Sequence, residues 1–251
     1  MSSARVKAEI YEQWQLRQDA RRLLALESGW LRDWVSQLHG QHLLYAGIDR
    51  SPRFIHKGRL QHAFQVAFDW QQNSDCSSRF AEDAWPLPDN SLDVAVLQHT
   101  LDLSSRPHQI IREAARTVVP GGYIILTGFN PYSLWGLARL VRTFSTQLPW
   151  VANPVSEVRL KDWLTLLDFR IEHAAPIAHV WPLPVGGEKL LRRIDRVLAG
   201  NRWLPANAYI IVARKTVAGM TTIRPRRWLG KESFGLQPVA TRVSNANREV
   251  I

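Results

Sequence analysis

One cysteine, Cys76, is all that 251 residues provide, which excludes an intramolecular disulfide. No thiol cluster and no grouping of histidines and carboxylates at metal-ligand spacing stands out, so no metal site is expected. No apolar run approaches the roughly 20 residues that cross a bilayer. The first segment, "MSSARVKAEIYEQWQLRQDARRLL", is polar where a signal peptide carries its apolar core. These absences together point to a cytoplasmic protein. Acidic residues are also scarce, 22 against 32 Lys and Arg, which gives a formal net charge of +10. Such a surplus suits an acidic partner such as RNA, DNA or an anionic membrane surface. Glycine is missing from one telling place. In "GQHLLYAGIDRSPRF" (40–54) an apolar run ends where a glycine-rich phosphate-binding loop would stand, yet only Gly47 is present before Asp49, Arg50 and Pro52.

What is present is globular, with 45% hydrophobic and 22% charged residues, enough for one sizeable core. From about Ile10 to Leu38 the chain reads as helical. Leu23, Leu24, Trp30, Leu31, Trp34, Val35 and Leu38 recur near a period of about 3.6, and Gly40 supplies a stop. The texture then changes to short apolar runs. Candidate strands are "HLLYAGI" (42–48), "HAFQVAF" (62–68), a short one near Arg79 to Ala81, "LDVAVLQ" (92–98), "YIILTGF" (123–129), "RIEHAAPIA" (170–178) and "NAYIIVARK" (207–215). Several are almost continuously apolar, as strands covered on both faces by helices must be. The pattern predicts an α/β sandwich.

Helices are expected in "PHQIIREAARTVVPGG", bounded by Pro107 and Pro120, and in "SEVRLKDWLTLLDF", where Leu160, Trp163, Leu164 and Leu167 share a face. Glu113 and Arg116 stand three apart and can pair on the first of these. Asp93 reads as a turn or capping partner. In 133–150, Leu134, Leu137, Val141, Phe144 and Leu148 alternate at spacings of three and four, with Arg139 and Arg142 projecting elsewhere. That segment reads as an amphipathic basic helix, a cover for the sheet or a membrane-surface contact. From Arg214 onward, eight Lys or Arg face two acids, Glu232 and Glu249, without sustained periodicity. This end reads as a basic, largely flexible tail. The resulting division is a helical cap at 1–40, an α/β domain at 41–215 and the tail at 216–251.

The segment "WPLPDNSLDVAVLQHTLDLSSRPHQIIREAARTVVPGGYIILTGFNPYSLWG" resembles the class I S-adenosylmethionine (SAM)-dependent methyltransferases, specifically the type 11 group. "LPDNSLD" enters the fourth strand, "REAAR" lies in the next helix and "VVPGGYIIL" leads into the fifth strand. "GFNPYSLWG", "KDWLTLLDF" and "AYIIVARKTVAGMTTIRPR" are similar to a bacterial subgroup of poorly defined substrate. The resemblance implies a Rossmann-like sandwich, a mostly parallel seven-stranded sheet with helices on both faces. It also implies transfer of a methyl group from SAM to an acceptor that the sequence does not identify.

Ligands of open parallel sheets bind beyond the carboxyl ends of the strands, where strand order reverses. Gly47 matches the first of the family's loop glycines, the later positions fall near Asp49 and Ser51, and the family's acidic residue falls near Tyr45. Asp69, 22 residues beyond Gly47, is the candidate ribose acceptor. The family's acid against adenine falls on Ala81, with Glu82 and Asp83 beside it as substitutes. Gln98 and His99 follow the fourth strand and Asn130 the fifth, where the resemblance puts the methionine end of the cofactor and the substrate. This makes Gln98 a cofactor contact and makes His99 and Asn130 catalytic candidates, His99 as a base of near-neutral pKa. The alternative is a binding protein that keeps the fold without catalysis and holds RNA or another acidic partner.

Overall fold

The computed structural model describes residues 18–49, 52–71, 76, 78–133, 153–177 and 206–216. The segment 134–150, read above as a basic helix, and the tail beyond Thr216 lie outside them. The chain divides into two compact units, Met1–Ala218 and Gly219–Ile251, and every described residue belongs to the first.

Seven strands form one sheet: β1 (His39–Gly47), β2 (Arg59–Phe68), β3 (Ser78–Phe80), β4 (Leu92–Gln98), β5 (Val118–Phe129), β6 (Phe169–Ile177) and β7 (Ala208–Lys215). Their order is β3-β2-β1-β4-β5-β7-β6, with β7 antiparallel to both of its neighbours and the other pairings parallel. The strand order reverses between β1 and β4. That juncture is the ligand-binding crevice of an open α/β sheet.

The apolar runs became strands because they are buried on both sides. Leu43 to Ala46, Val94 to Leu97 and Ile210 to Ala213 are each at most 1% exposed. β5 begins five residues earlier than the apolar run suggests, so Pro120, Gly121 and Gly122 lie within it rather than in a connection. The register slips between Leu92 and Val94, and Gly121 takes a φ of 85°. Positive φ is tolerated by glycine at no steric cost, which lets the strand absorb the irregularity.

Four α-helices are described: α1 (Gln18–Val35), α2 (Thr100–Leu103), α3 (Pro107–Thr117) and α4 (Glu157–Leu166). Pro107 opens α3, where its missing N–H costs nothing. Ile110, Ile111, Ala114 and Ala115 bury its inner face. Leu23, Leu31 and Val35 of α1 belong to the same core cluster as the sheet. The expected pair forms on α3, with Arg116 Nη2 2.7 Å from Glu113 Oε2. Arg116 also donates to the carbonyls of Leu87 and Trp85, and Glu113 accepts the Trp85 N–H, so the pair laces the "WPLPDN" loop to the helix. Asp93 accepts the N–H groups of Gln41 and His42, a structural role as its position suggested.

The connection from β1 to β2 is short. Parallel strands are ordinarily joined through a crossover of a dozen or more residues carrying an α-helix. Here β1 passes to β2 through residues 48–58, whose described residues include a 3-10 turn, Arg53–Lys57, and no α-helix. Among the described residues of that connection no α-helix N-terminus stands at the crevice. No described helix is long and apolar enough to cross a membrane.

Candidate functional site at the β1 and β4 strand ends

The crevice is floored by a continuous chain of hydrogen bonds that starts in the turn after β1. The Asp49 N–H donates to the Tyr45 hydroxyl (3.0 Å), which donates to Gln98 Oε1 (2.7 Å). Gln98 Nε2 donates to Glu27 Oε2 (2.8 Å). Glu27 Oε1 and Asp102 Oδ2 then grip His99 from opposite sides, at Nε2 (2.8 Å) and Nδ1 (2.9 Å). Asp102 Oδ2 also accepts the Phe129 N–H at the end of β5 (3.0 Å). The relay thus ties together β1, α1, β4, α2 and β5.

Glu27, Gln98, His99 and Asp102 have no exposed surface. Burial opposes charge on the His99 imidazole, but the Glu27 carboxylate and the Asp102 hydrogen bond outweigh it and lift the pKa to about 10. With a carboxylate oxygen at each ring nitrogen, both nitrogens donate, which is the hydrogen bonding of the imidazolium. Burial pushes the Asp102 carboxyl up from its ordinary value, and the bonds from His99 oppose that rise. His99 has a φ of 52°, in the left-handed region, and its ring lies 4.2 Å from that of Phe129. A left-handed non-glycine residue is strained by about 1–2 kcal/mol, so the packing and the paired carboxylates hold it there.

The sequence candidates separate into those at this floor and those at its rim. Gly47 and Gln98 meet at the β1 and β4 ends, where a Cβ on Gly47 would come within 2.5 Å of the Tyr45 hydroxyl and 2.9 Å of Gln98 Cβ. Gly47 is thus required by the chain's own packing. Asp69 is exposed at the end of β2, and its carboxylate makes no hydrogen bond among the described residues. Glu82 accepts from the Ser104 hydroxyl (2.7 Å), and Asp83 pairs with Arg106 (3.2 Å).

For the two catalytic candidates the geometry differs from the expectation. His99 is not a base poised near neutrality, because it is enclosed, doubly bonded to carboxylates and already protonated. Asn130 spends its side chain on backbone, with Nδ2 on Ala206 O and Oδ1 receiving the Tyr132 N–H. It shapes the turn leaving β5.

Glu27 and Asp102 were absent from the sequence candidates. Glu27 could have been noticed, since it stands four residues from both Leu23 and Leu31, within the apolar stripe of α1. A carboxylate in such a stripe is buried only with partners. Among the described residues no group of three or more His, Cys, Asp or Glu could hold a metal ion.

A methyltransferase-domain family model matches residues 26–126. The uncharacterized protein YafS of Escherichia coli (strain K12) is 32% identical over 193 residues, 76% of this chain and 75% of that protein. The chain belongs to the class I methyltransferases, type 11 group. Solved structures of methyltransferases share its fold. A SAM-dependent methyltransferase of Thermotoga maritima, described as a possible histamine N-methyltransferase, superposes with a TM-score of 0.55 at 16% identity, covering 83% of this chain and 99% of that one. Geranyl diphosphate C-methyltransferase of Streptomyces coelicolor, solved with Mg2+, geranyl diphosphate and S-adenosylhomocysteine (SAH), gives 0.52 at 13% identity, covering 79% of this chain and 81% of that one.

Set against the cofactor of its family, this type 11 methyltransferase offers unequal halves. The exposed Asp69 carboxylate suits a ribose diol. The turn after β1 already gives its Asp49 N–H to Tyr45.

Proposed function

We propose that this protein is a SAM-dependent methyltransferase that binds its cofactor at the carboxyl ends of β1, β2 and β4 and receives an unidentified acceptor beside the end of β5. The observation that carries the reading is Asp69, an exposed carboxylate that makes no hydrogen bond among the described residues, at the strand end next to the reversal of strand order. SAM, when bound, supplies a methyl group already activated on a sulfonium. The chain's own contribution is then alignment and shielding from water. Asp69 would accept hydrogen bonds from the ribose hydroxyls. Glu82, held by Ser104, and the neighbouring Asp83 would border the adenine, and Gln98 would back the methionine end. His99 acts as a fixed, charged post between Glu27 and Asp102 that orients the β4 and β5 ends, and Asn130 shapes the loop that meets the acceptor.

Calorimetric titration with SAM and with SAH tests this reading. Both ligands should release or absorb heat on saturation. Asp69→Asn should weaken SAH binding by about tenfold, roughly the equivalent of one charge-assisted hydrogen bond, with the melting temperature of the free protein unchanged. No binding of either ligand to the wild-type chain or to Tyr45→Phe would leave the fold as a binding scaffold instead.

The basic C-terminal segment supports a second contact, with RNA or an anionic membrane surface. Deleting residues 217–251 should lower affinity for a single-stranded RNA or for anionic vesicles and flatten its salt dependence. The sheet ends at Lys215, so the truncated protein should melt as the full chain does.

A further inference from the structure

Three backbone groups at the described start of the turn after β1 are matched from within the chain. Tyr45 takes the Asp49 N–H, the Gln71 amide donates to Gly47 O (3.2 Å) and the Gln65 amide donates to Asp49 O (3.0 Å). The Tyr45 ring runs along the strand over Gly47, since a Cβ there would stand 2.7 Å from Cζ, and it meets Phe54 edge-on at 5.5 Å. The buried hydroxyl is satisfied in both roles, accepting from the Asp49 amide and donating to Gln98 Oε1. At the reversal point of an open sheet, the first turn is where a ligand's polar end is received by backbone N–H groups. In this protein a side chain of the strand itself already stands there.

We propose that Tyr45 sets the affinity of the cofactor site, its phenol holding the place in the β1 turn that the amino-acid end of SAM must take, so that binding exchanges the Asp49 N–H from the phenol to the ligand. The inference rests on the proposed SAM-dependent function and adds the residue that governs it. A site that is competent only after the phenol leaves binds with an apparent affinity reduced by the competent fraction. Removing the competitor raises that fraction without adding any contact to the ligand. Gly47 then has a meaning different from that of a loop glycine that lets a ligand approach, because here it makes room for the ring.

The test is titration of wild type, Tyr45→Phe and Tyr45→Ala with SAH, together with amide hydrogen exchange at Asp49 in each unliganded protein. Tyr45→Phe keeps the ring and the core while releasing the Asp49 N–H, so it remains informative even where Tyr45→Ala folds poorly. Tyr45→Phe should bind SAH about 3- to 10-fold more tightly, the gain expected from one freed donor, and Tyr45→Ala should bind more tightly still. The Asp49 amide should exchange faster in both variants than in wild type. Equal SAH affinity in all three proteins, or weaker binding in Tyr45→Phe, overturns the role of Tyr45 while leaving the cofactor reading intact. No binding by any of the three overturns both.

Discussion

Glu27→Ala should lower the unfolding free energy by about 3–5 kcal/mol, the cost of removing one partner from a buried ion pair and stranding the other. Glu27 contributes an oxygen to His99 and another to Gln98, and neither side chain has exposed surface from which water could replace it. The loss should exceed simple loss of a hydrogen bond, because the buried His99 imidazolium loses the carboxylate that faces its Nε2. It should register as a lower midpoint in urea with an unchanged slope. Glu27→Gln preserves shape and one acceptor and should be milder. A double-mutant cycle with His99→Gln should show that the two losses do not add, as expected for residues in one network. Additive losses would mean that the contact contributes little beyond packing.

His99→Gln should also flatten the dependence of stability on alkaline pH. The folded-state pKa of His99 is raised to about 10, whereas an unfolded histidine titrates near 6.5. The folded protein therefore holds the extra proton throughout the interval between those values. Stability from this group is fully present below about pH 6.5 and is lost progressively as pH rises toward 10. Wild type should lose its advantage over His99→Gln across that window, by several kcal/mol at most given the size of the shift. Asp102 works in the same direction at lower pH. Its folded pKa is also raised, so the folded state binds the proton more readily than the unfolded state in the interval just above the ordinary carboxyl value. Paired urea titrations from pH 6 to pH 10 measure the difference directly, and parallel pH profiles for the two proteins would contradict the charged form of His99.

These expectations recast what a histidine after the fourth strand does here. A base for methyl transfer must reach the acceptor and must be unprotonated at working pH. His99 is enclosed between two carboxylates and holds its proton up to a pKa of about 10, so it does not meet the second requirement. The two carboxylates that hold it come from residues 72 positions before it and three after it. One belongs to a helix that precedes the sheet altogether, so α1 is part of the site's foundation as well as of the core.

Sequence by itself determined the seven strands and the helix of the "REAAR" segment. Continuous apolar runs such as "LDVAVLQ" suit strands of a sheet covered on both faces, and Pro107 fixes where α3 begins. It also marked the strand ends as the place to look, since Gly47, Asp69, Gln98, His99 and Asn130 all stand at or just beyond them. It placed the Glu113 and Arg116 pair, because residues three apart on a helix are neighbours whatever surrounds them. Only the tertiary structure decided the chemistry of those positions. Whether a histidine is a base or a buried cation depends on which carboxylates face it, and Glu27 reaches it only through the docking of α1. Whether a lone glycine serves a ligand or a neighbouring ring depends on the direction of Tyr45, which a period of two cannot reveal. Burial and distance set both outcomes, and these belong to contacts between segments far apart in the chain.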